Sequence, residues 1–282
     1  MKVFLVSNAD EDKSFVVGVR TKAEDDRGIP HVFEHATIDS TENYPSPDGF
    51  FSMNGKLYTT FLNACTTDEV TFYPVSSLSD EQLYAIYKYY IDGLFNPMIL
   101  KESRIFDKEA ARYILYNKDD NIKISGAAYN EMSSRFTDEW EQVNILRSKA
   151  IYENGHLGNN SGGDYRQMIN ITHQDLIDFH DKYYHPSNMC MYLYGDIDYE
   201  KYLKLLDEKY LKKYDKKEIE YEIYDYVKNN TLKDIKCDLP VVKDFDIKDN
   251  TIFDYAIRFE DISSYEIGLM DIIVSHFMHN FH

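Results

Sequence analysis

The grouping of strand-like and helix-like segments along the chain is the feature that most restricts its fold. Short runs rich in β-branched and aromatic residues come first and predict strands at 2–6, 14–20, 57–63 and 69–76. Helix-like segments then dominate, and one further buried strand is predicted at 188–194. Because the strands are followed by helices rather than alternating with them, the sequence predicts an α+β fold.

Local signals predict where the helices begin. Pro30 suits the first turn of a helix, so a helix is predicted over 31–38. Ser79 is a good N-cap for a following segment whose apolar residues recur at helical spacing. Residues 41–55 contain two Pro and two Gly and are predicted to be mostly loop. Further helices are predicted at 102–116, 121–135, 139–151, 172–184 and 199–211.

We expect three parts in the chain. Residues 1–211 hold most of the predicted elements, 212–249 is a charged connector, and 250–282 begins a second unit. That second unit is predicted to hold a strand at 251–259 and a helix at 265–278. The chain ends directly after this helix, so we expect an uncovered apolar face that promotes association. The face consists of Ile267, Met270, Ile273 and Phe277.

Charge and cysteine usage argue against several classes of protein. The formal net charge is −18, and an acidic surface repels phosphate backbones, so we expect no nucleic-acid partner. Cys65, Cys190 and Cys237 lie far apart without a CxxC pair, which predicts neither disulfides nor a thiolate zinc site. The N-terminal apolar run is too short for a signal peptide, and no stretch approaches the ~20 apolar residues of a membrane span. We therefore expect a cytoplasmic protein that does not bind membranes.

The run His31-Val32-Phe33-Glu34-His35 carries the candidate chemistry. On a helix, residues four apart lie about 40° apart around the axis, so both imidazoles can share one metal ion. Glu34 lies on the same flank, where it can reach a metal-bound water without being a ligand. Two His, one carboxylate and an open position form a catalytic zinc site, here in the inverse order of HExxH. The motif arises by chance in roughly a few per cent of such chains, so surface histidines on a short helix are an alternative.

A third metal ligand has to come from elsewhere in the chain. Glu131 lies on a predicted helix and is chemically suitable, but chemistry alone does not single it out. The other equally suitable carboxylates are Glu102, Glu109 and Glu139.

Several sequence blocks follow the motif in a fixed order over roughly residues 3–200. They lie at 28–35, 58–67, 71–77, 126–132, 160–164, 179–188 and 192–196. This series resembles the pitrilysin/insulysin superfamily of zinc metallopeptidases, and within it the presequence protease and falcilysin branch. The resemblance implies an α/β roll, with a mostly antiparallel sheet packed by helices on one side and an incomplete second unit.

The resemblance also implies roles for individual residues. His31, His35 and Glu131 correspond to the ligands of Zn²⁺, and Glu34 corresponds to the general base that activates water. The segment Asn63-Ala64 resembles the strand that pairs with a peptide substrate, although an ordinary interior strand is the alternative. The implied activity is hydrolysis of short unfolded peptides, and the alternative is a truncated, inactive homologue or scaffold that keeps the fold and the zinc site.

Part of the family's machinery has no counterpart in this sequence. The resemblance implies that an Arg and a Tyr from a second half contact the substrate, and no residue here matches them. The missing C-terminal half is therefore an expected partner. The remaining histidines His173, His180 and His185 are predicted to be structural, and Cys65 is predicted to be a small packed residue.

Overall fold

The computed structural model describes residues 1–153, 155–219, 234–238, 252–258 and 262–279. The chain divides into two compact units, Met1–Lys243 and Asp244–His282. Most of the connector predicted at 212–249 lies outside the described residues, so the predicted three-part division stays a prediction.

The first unit is built on a six-stranded sheet. The strands are β1 (Lys2–Val6), β2 (Lys13–Arg20), β3 (Phe61–Leu62), β4 (Cys65–Thr66), β5 (Val70–Ser77) and β8 (Met189–Tyr194). They run in the order β1-β8-β2-β5-β3, and β4 also pairs with β5. Among the described residues, β1 and β8 form the one parallel pair of this sheet, so the predicted, mostly antiparallel sheet is confirmed.

Helices cover one face of this sheet. Alternate side chains of β2, namely Phe15, Val17 and Val19, are fully buried, and burying each stabilises the fold by about 1.5–3 kcal/mol. On the opposite face Phe4 and Tyr192 stack on each other and are about half exposed. The helices of the unit are α1 (Ile29–Asp39), α2 (Gly49–Asn54), α3 (Asp80–Phe95), α4 (Ser103–Glu109), α5 (Ala127–Arg135), α6 (Glu139–Ile151), α7 (Tyr165–Met168), α8 (His173–Tyr183) and α9 (Tyr199–Lys209).

The central helix α3 begins directly after the predicted N-cap, Ser79. The Ser79 side chain accepts a hydrogen bond from the backbone of Gln82, and Asp80 and Glu81 lie in the first turn, where the helix dipole favours negative charge. Its apolar side packs on β2 and β5 and against α1. In this way α3 fixes the helix that carries the HxxEH motif to the sheet.

The region between α4 and α5 differs from the prediction of two long helices at 102–116 and 121–135. The first helix ends at Glu109, and a short hairpin of β6 (Arg112–Ile114) and β7 (Lys123–Ser125) precedes α5. A Cβ atom at Gly126 would lie 1.7 Å from the carbonyl oxygen of Ala110, so the chain doubles back tightly at that glycine.

Two features were not predicted, and one prediction differs from the structure. Strand β8 inserts between β1 and β2, and the segment 41–55, predicted to be mostly loop, contains the short helix α2. Residues 252–258 form no strand, and the ends of the predicted strand, residues 251 and 259, lie outside the described residues.

In the second unit a single helix, α10 (Ser264–His279), is described. Ile267 and Ile273 of the predicted apolar face are close to half exposed, and Met270 is partly buried. The side chain of Phe277 lies outside the described residues. No helix among the described residues is long and apolar enough to cross a membrane.

Candidate metal centre

Helix α1 holds the HxxEH motif, and its start depends on a close backbone contact. Gly28 precedes the helix with a φ of 79°, a conformation that favours glycine, and Pro30 lies in the first turn. A Cβ atom at Gly28 would lie 2.7 Å from the carbonyl oxygen of Gly162. This contact seats the loop of residues 160–164 against the beginning of α1.

The structure brings His31, His35 and Glu131 together. Oε2 of Glu131 lies 3.5 Å from Nε2 of His31 and 3.4 Å from Nε2 of His35. Among the described residues, these three form the group of His, Cys, Asp and Glu side chains that could hold a metal ion, with ligand atoms within 4.8 Å of one another. In tetrahedral zinc sites with ligands at about 2.0–2.2 Å, neighbouring ligand atoms lie about 3.3–3.6 Å apart. The two separations from Glu131 therefore fit Zn²⁺.

The Nδ1 atom of each imidazole is engaged on the side away from Glu131. Nδ1 of His31 lies 3.0 Å from the carbonyl oxygen of Gly162, and Nδ1 of His35 lies 3.3 Å from Oε2 of Glu109. Because both acceptors require a proton on Nδ1, the neutral rings direct the lone pair of Nε2 towards the shared position.

The four glutamates that were candidates for the third ligand differ in their position relative to the two imidazoles. Glu109 is nearly buried behind His35, so it supports a candidate ligand rather than joining the group. Glu102 pairs with Arg104, and Glu139 lies in the first turn of α6. Of the four, Glu131 alone has its carboxylate beside both Nε2 atoms within the described part of the chain.

The carboxylates determine the proton affinity of the cluster. Burial lowers the pKa of His35, but hydrogen bonds with Glu109 and Glu131 outweigh it and raise that pKa to about 10. Hydrogen bonds with His31 and His35 hold the pKa of Glu131 well below its usual value. Burial raises the pKa of Glu109, yet the pairing with His35 and Lys108 leaves it lowered overall. A cation at this site would therefore compete with the proton held by His35.

Glu34 lies on the same helix and faces the same cleft. Its side chain is nearly buried, and its Oε2 accepts a hydrogen bond of 2.7 Å from the hydroxyl of Thr66 on β4. The cleft has a volume of about 460 Å³ and is lined by both imidazoles, Glu34 and Glu131. A buried carboxylate is therefore held beside the candidate metal position, which is the arrangement a general base needs.

The edge segment between β3 and β4 forms one wall of the cleft. Asn63 and Ala64 both line it. The N–H of Asn63 donates to the carbonyl of Pro74, and its carbonyl accepts from the hydroxyl of Tyr90. No backbone hydrogen bond to Ala64 occurs among the described residues. Since strand residues alternate in direction, the N–H and C=O of Ala64 point outward along the edge.

Two predictions about side chains outside the motif have different outcomes. His173 and His180 form hydrogen bonds to backbone carbonyls, and His185 accepts one from the backbone of Ser187, so these histidines have structural contacts. The prediction that Cys65 is packed is wrong, because the residue is exposed. Ala64 next to it faces the core, so Cys65 points to the open side.

Three residues, Glu109, Gly162 and Thr66, have supporting roles that were not predicted from the sequence. Nothing in the local sequence marks them, because each acts through a contact with a residue at least 32 positions away. Their only signal was general, since metal-bound histidines usually donate their second N–H to a carboxylate or a carbonyl.

Comparison with known protein families gives one matching family model. It is described as "Peptidase M16 inactive domain" and matches residues 170–282. The candidate site residues 31, 34, 35 and 131 all precede that range.

Curated relatives cover more of the chain. It is 31% identical over 268 residues to "Protein HypA" of Clostridium perfringens, which corresponds to 95% of this chain and 28% of that protein. It is 34% identical over 208 residues to "Presequence protease 1, chloroplastic/mitochondrial" of Arabidopsis thaliana, or 73% of this chain and 19% of the relative. The mitochondrial presequence protease of Saccharomyces cerevisiae is 33% identical over 208 residues, 73% of this chain and 20% of the relative. The chain thus spans less than a third of the length of these relatives.

Solved structures share the fold. Pitrilysin aligns with a TM-score of 0.57 at 19% identity, over 72% of this chain and 21% of that chain. The first half of the periplasmic protease PqqL from Escherichia coli aligns with a TM-score of 0.60 at 18% identity, over 79% of this chain and 46% of that chain. At these identities the similarity concerns the fold alone.

Proposed function

Because this chain belongs to the M16 family of peptidases, we propose that it is a zinc-dependent endopeptidase, or the catalytic portion of one, acting on short unfolded peptides. The observation that carries the proposal is the convergence of His31, His35 and Glu131 on one position, with Glu34 in the same cleft. The spacing of their ligand atoms suits tetrahedral zinc, and Glu34 is not needed as a ligand.

The proposed chemistry divides the work between the metal and Glu34. A zinc ion held by His31, His35 and Glu131 would supply Lewis acidity towards water and the scissile carbonyl. Glu34 takes a proton from the water as the water oxygen bonds to the carbonyl carbon. Glu34 then gives that proton to the leaving nitrogen as the C–N bond breaks. The nearly buried position of Glu34 limits its exposure to bulk water.

The edge segment offers a way to hold the substrate. The outward N–H and C=O of Ala64 can pair with an extended peptide that adds as a further strand. The exposed side chain of Asn63 lies beside that position and can add a hydrogen bond to the peptide backbone. The peptide would lie along a wall of the cleft that contains His31 and His35.

A second candidate function is a non-catalytic homologue or scaffold that keeps the fold and binds zinc. One observation favours it: the matching family model is described as an inactive domain. The described match begins at residue 170, however, after all four candidate site residues. On the leading proposal, a further part of the enzyme would act as partner.

The predicted cytoplasmic location stays a prediction, since two of the relatives are named mitochondrial or chloroplastic.

The deciding experiment measures zinc content and cleavage of a quenched fluorescent peptide for the chain and for Glu34→Gln. We expect the variant to keep zinc and lose at least a hundredfold in kcat, because removing a general base costs about 10²–10⁴. Glu139→Gln, the same change outside the cleft, is the matched control and should retain both properties. Full activity in Glu34→Gln refutes its role, whereas zinc binding without cleavage by the unaltered chain supports the scaffold.

A further inference from the structure

We propose that Thr66 is a positioning residue that sets the orientation of the Glu34 carboxylate, an inference that rests on the proposed function of Glu34. The Thr66 hydroxyl donates to Oε2 of Glu34 at 2.7 Å. Hydrogen bonds to a charged acceptor are shorter and roughly twice as strong as neutral ones. Among the described residues, Thr66 is the hydrogen-bond partner found for this carboxylate.

The hydrogen bond selects one oxygen of the carboxylate. A glutamate side chain has three rotatable bonds, and rotation about the last of them exchanges its two oxygens. Fixing Oε2 by the Thr66 hydroxyl stops this rotation and leaves Oε1 to receive a proton from water. The hydrogen bond lowers the free-energy cost of reaching the reactive geometry and does not contribute to substrate binding. Its loss should therefore lower kcat and leave KM unchanged.

Thr66 can fix a carboxylate because its own backbone is fixed. It pairs with Thr71 in the antiparallel ladder between β4 and β5. The tight turn that follows is closed by a 2.9 Å bond from the N–H of Thr67 to the carbonyl of Val70. Strand β4 also contacts α1, the helix that carries Glu34. Both ends of the hydrogen bond therefore belong to regular elements that pack on each other.

The same backbone segment connects the orientation of the base to the proposed substrate position. Thr66 follows Ala64 by two residues on the edge beside β5. A peptide that pairs with Ala64 would hold this edge in register and would thereby keep the Thr66 hydroxyl on Glu34. Binding of substrate and orientation of the base would then depend on one segment.

Two substitutions separate the hydroxyl from the shape of the side chain. Thr66→Val keeps the shape and removes the donor, and Thr66→Ser keeps the donor and removes a methyl group. In the zinc-loaded chain we expect Thr66→Val to lower kcat by about tenfold or more with KM and zinc affinity unchanged, and Thr66→Ser to stay close to the unaltered protein. Thr137→Val is the matched control, because Thr137 lies outside the cleft and its hydroxyl donates to the carbonyl of Ser134 and not to Glu34.

Crystal structures of the unaltered chain and of the two Thr66 variants give a measurement that does not depend on activity. We expect the Glu34 carboxylate to rotate in Thr66→Val and to keep its orientation in Thr66→Ser. An unmoved carboxylate in Thr66→Val, or an unchanged kcat, overturns the inference. If the unaltered chain cleaves no peptide, the proposed function fails, and the carboxylate orientation alone decides the role of Thr66.

Discussion

Removal of the charge on Glu109 tests whether the protein itself prepares His35 for a metal ion. Oε2 of Glu109 lies 3.3 Å from Nδ1 of His35, and the Glu109 side chain is 6% exposed. Glu109→Gln keeps the size and an acceptor oxygen but removes the negative charge that holds the ring in place. Loss of such supporting groups costs about 10–100-fold in metal affinity.

The lower end of that range applies to Glu109→Gln. The bond is already long for a hydrogen bond, and the amide oxygen of Gln can still accept from Nδ1. We therefore expect a loss of about tenfold in zinc affinity, which equals about 1.4 kcal/mol. Competition with a chromophoric chelator at constant pH measures it.

Glu102→Gln is the control for this measurement. It makes the same change next to the same helix, where Glu102 contacts Arg104 rather than the candidate site. Denaturant unfolding of both metal-free variants separates a loss of folding from a loss of metal binding. Unchanged zinc affinity in Glu109→Gln would show that His35 needs no support from this carboxylate, and the reasoning would be wrong.

Two further predictions concern the support of α1 and a buried histidine. Gly28→Ala should lower the free energy of unfolding by about 2 kcal/mol or more in a denaturant titration, because of the positive φ and the contact with Gly162, whereas Gly55→Ala, which meets only ordinary contacts, should change little. Gly28→Ala should also weaken zinc binding, since it displaces Gly162, whose carbonyl oxygen contacts Nδ1 of His31. Burial lowers the pKa of His180 below its usual 6.5, so as the pH falls below about 6.5 the unfolded chain binds a proton that the folded chain resists, and stability is lost. In His180→Phe that loss should be smaller over the same pH range, and an identical pH dependence in both proteins would contradict the assignment.

Much of the fold could be predicted because its signals are local. Ser79 caps α3, and the alternation of Phe15, Val17 and Val19 marks the buried face of β2. The order of the strands was not predictable in this way. Strand β8 lies between β1 and β2 only because a segment more than 160 residues away pairs with both, and no local pattern encodes that partner.

The hairpin between α4 and α5 was missed for a different reason. Apolar residues at short spacing fit a helix as well as a strand, and the segment holds too few residues for the two periods to separate. What decides against a helix is the tight return of the backbone at Gly126 against Ala110, which is a tertiary contact. Local propensity was therefore overridden by packing.

The candidate site shows the same limit more sharply. Helical spacing alone predicts that His31 and His35 face one point, because their separation is set within a single helix. The third member depends on how α4, the hairpin and α5 fold back towards α1, so four glutamates were equally suitable on chemistry, and only the family resemblance selected Glu131. Glu109 and Glu131 carry the same carboxylate but reach His35 from opposite sides. Glu109 lies at Nδ1 of the ring, and Glu131 lies at Nε2. Ligand identity in such a site follows from the direction from which each carboxylate approaches the ring, and that direction is a property of the packed helices rather than of the motif.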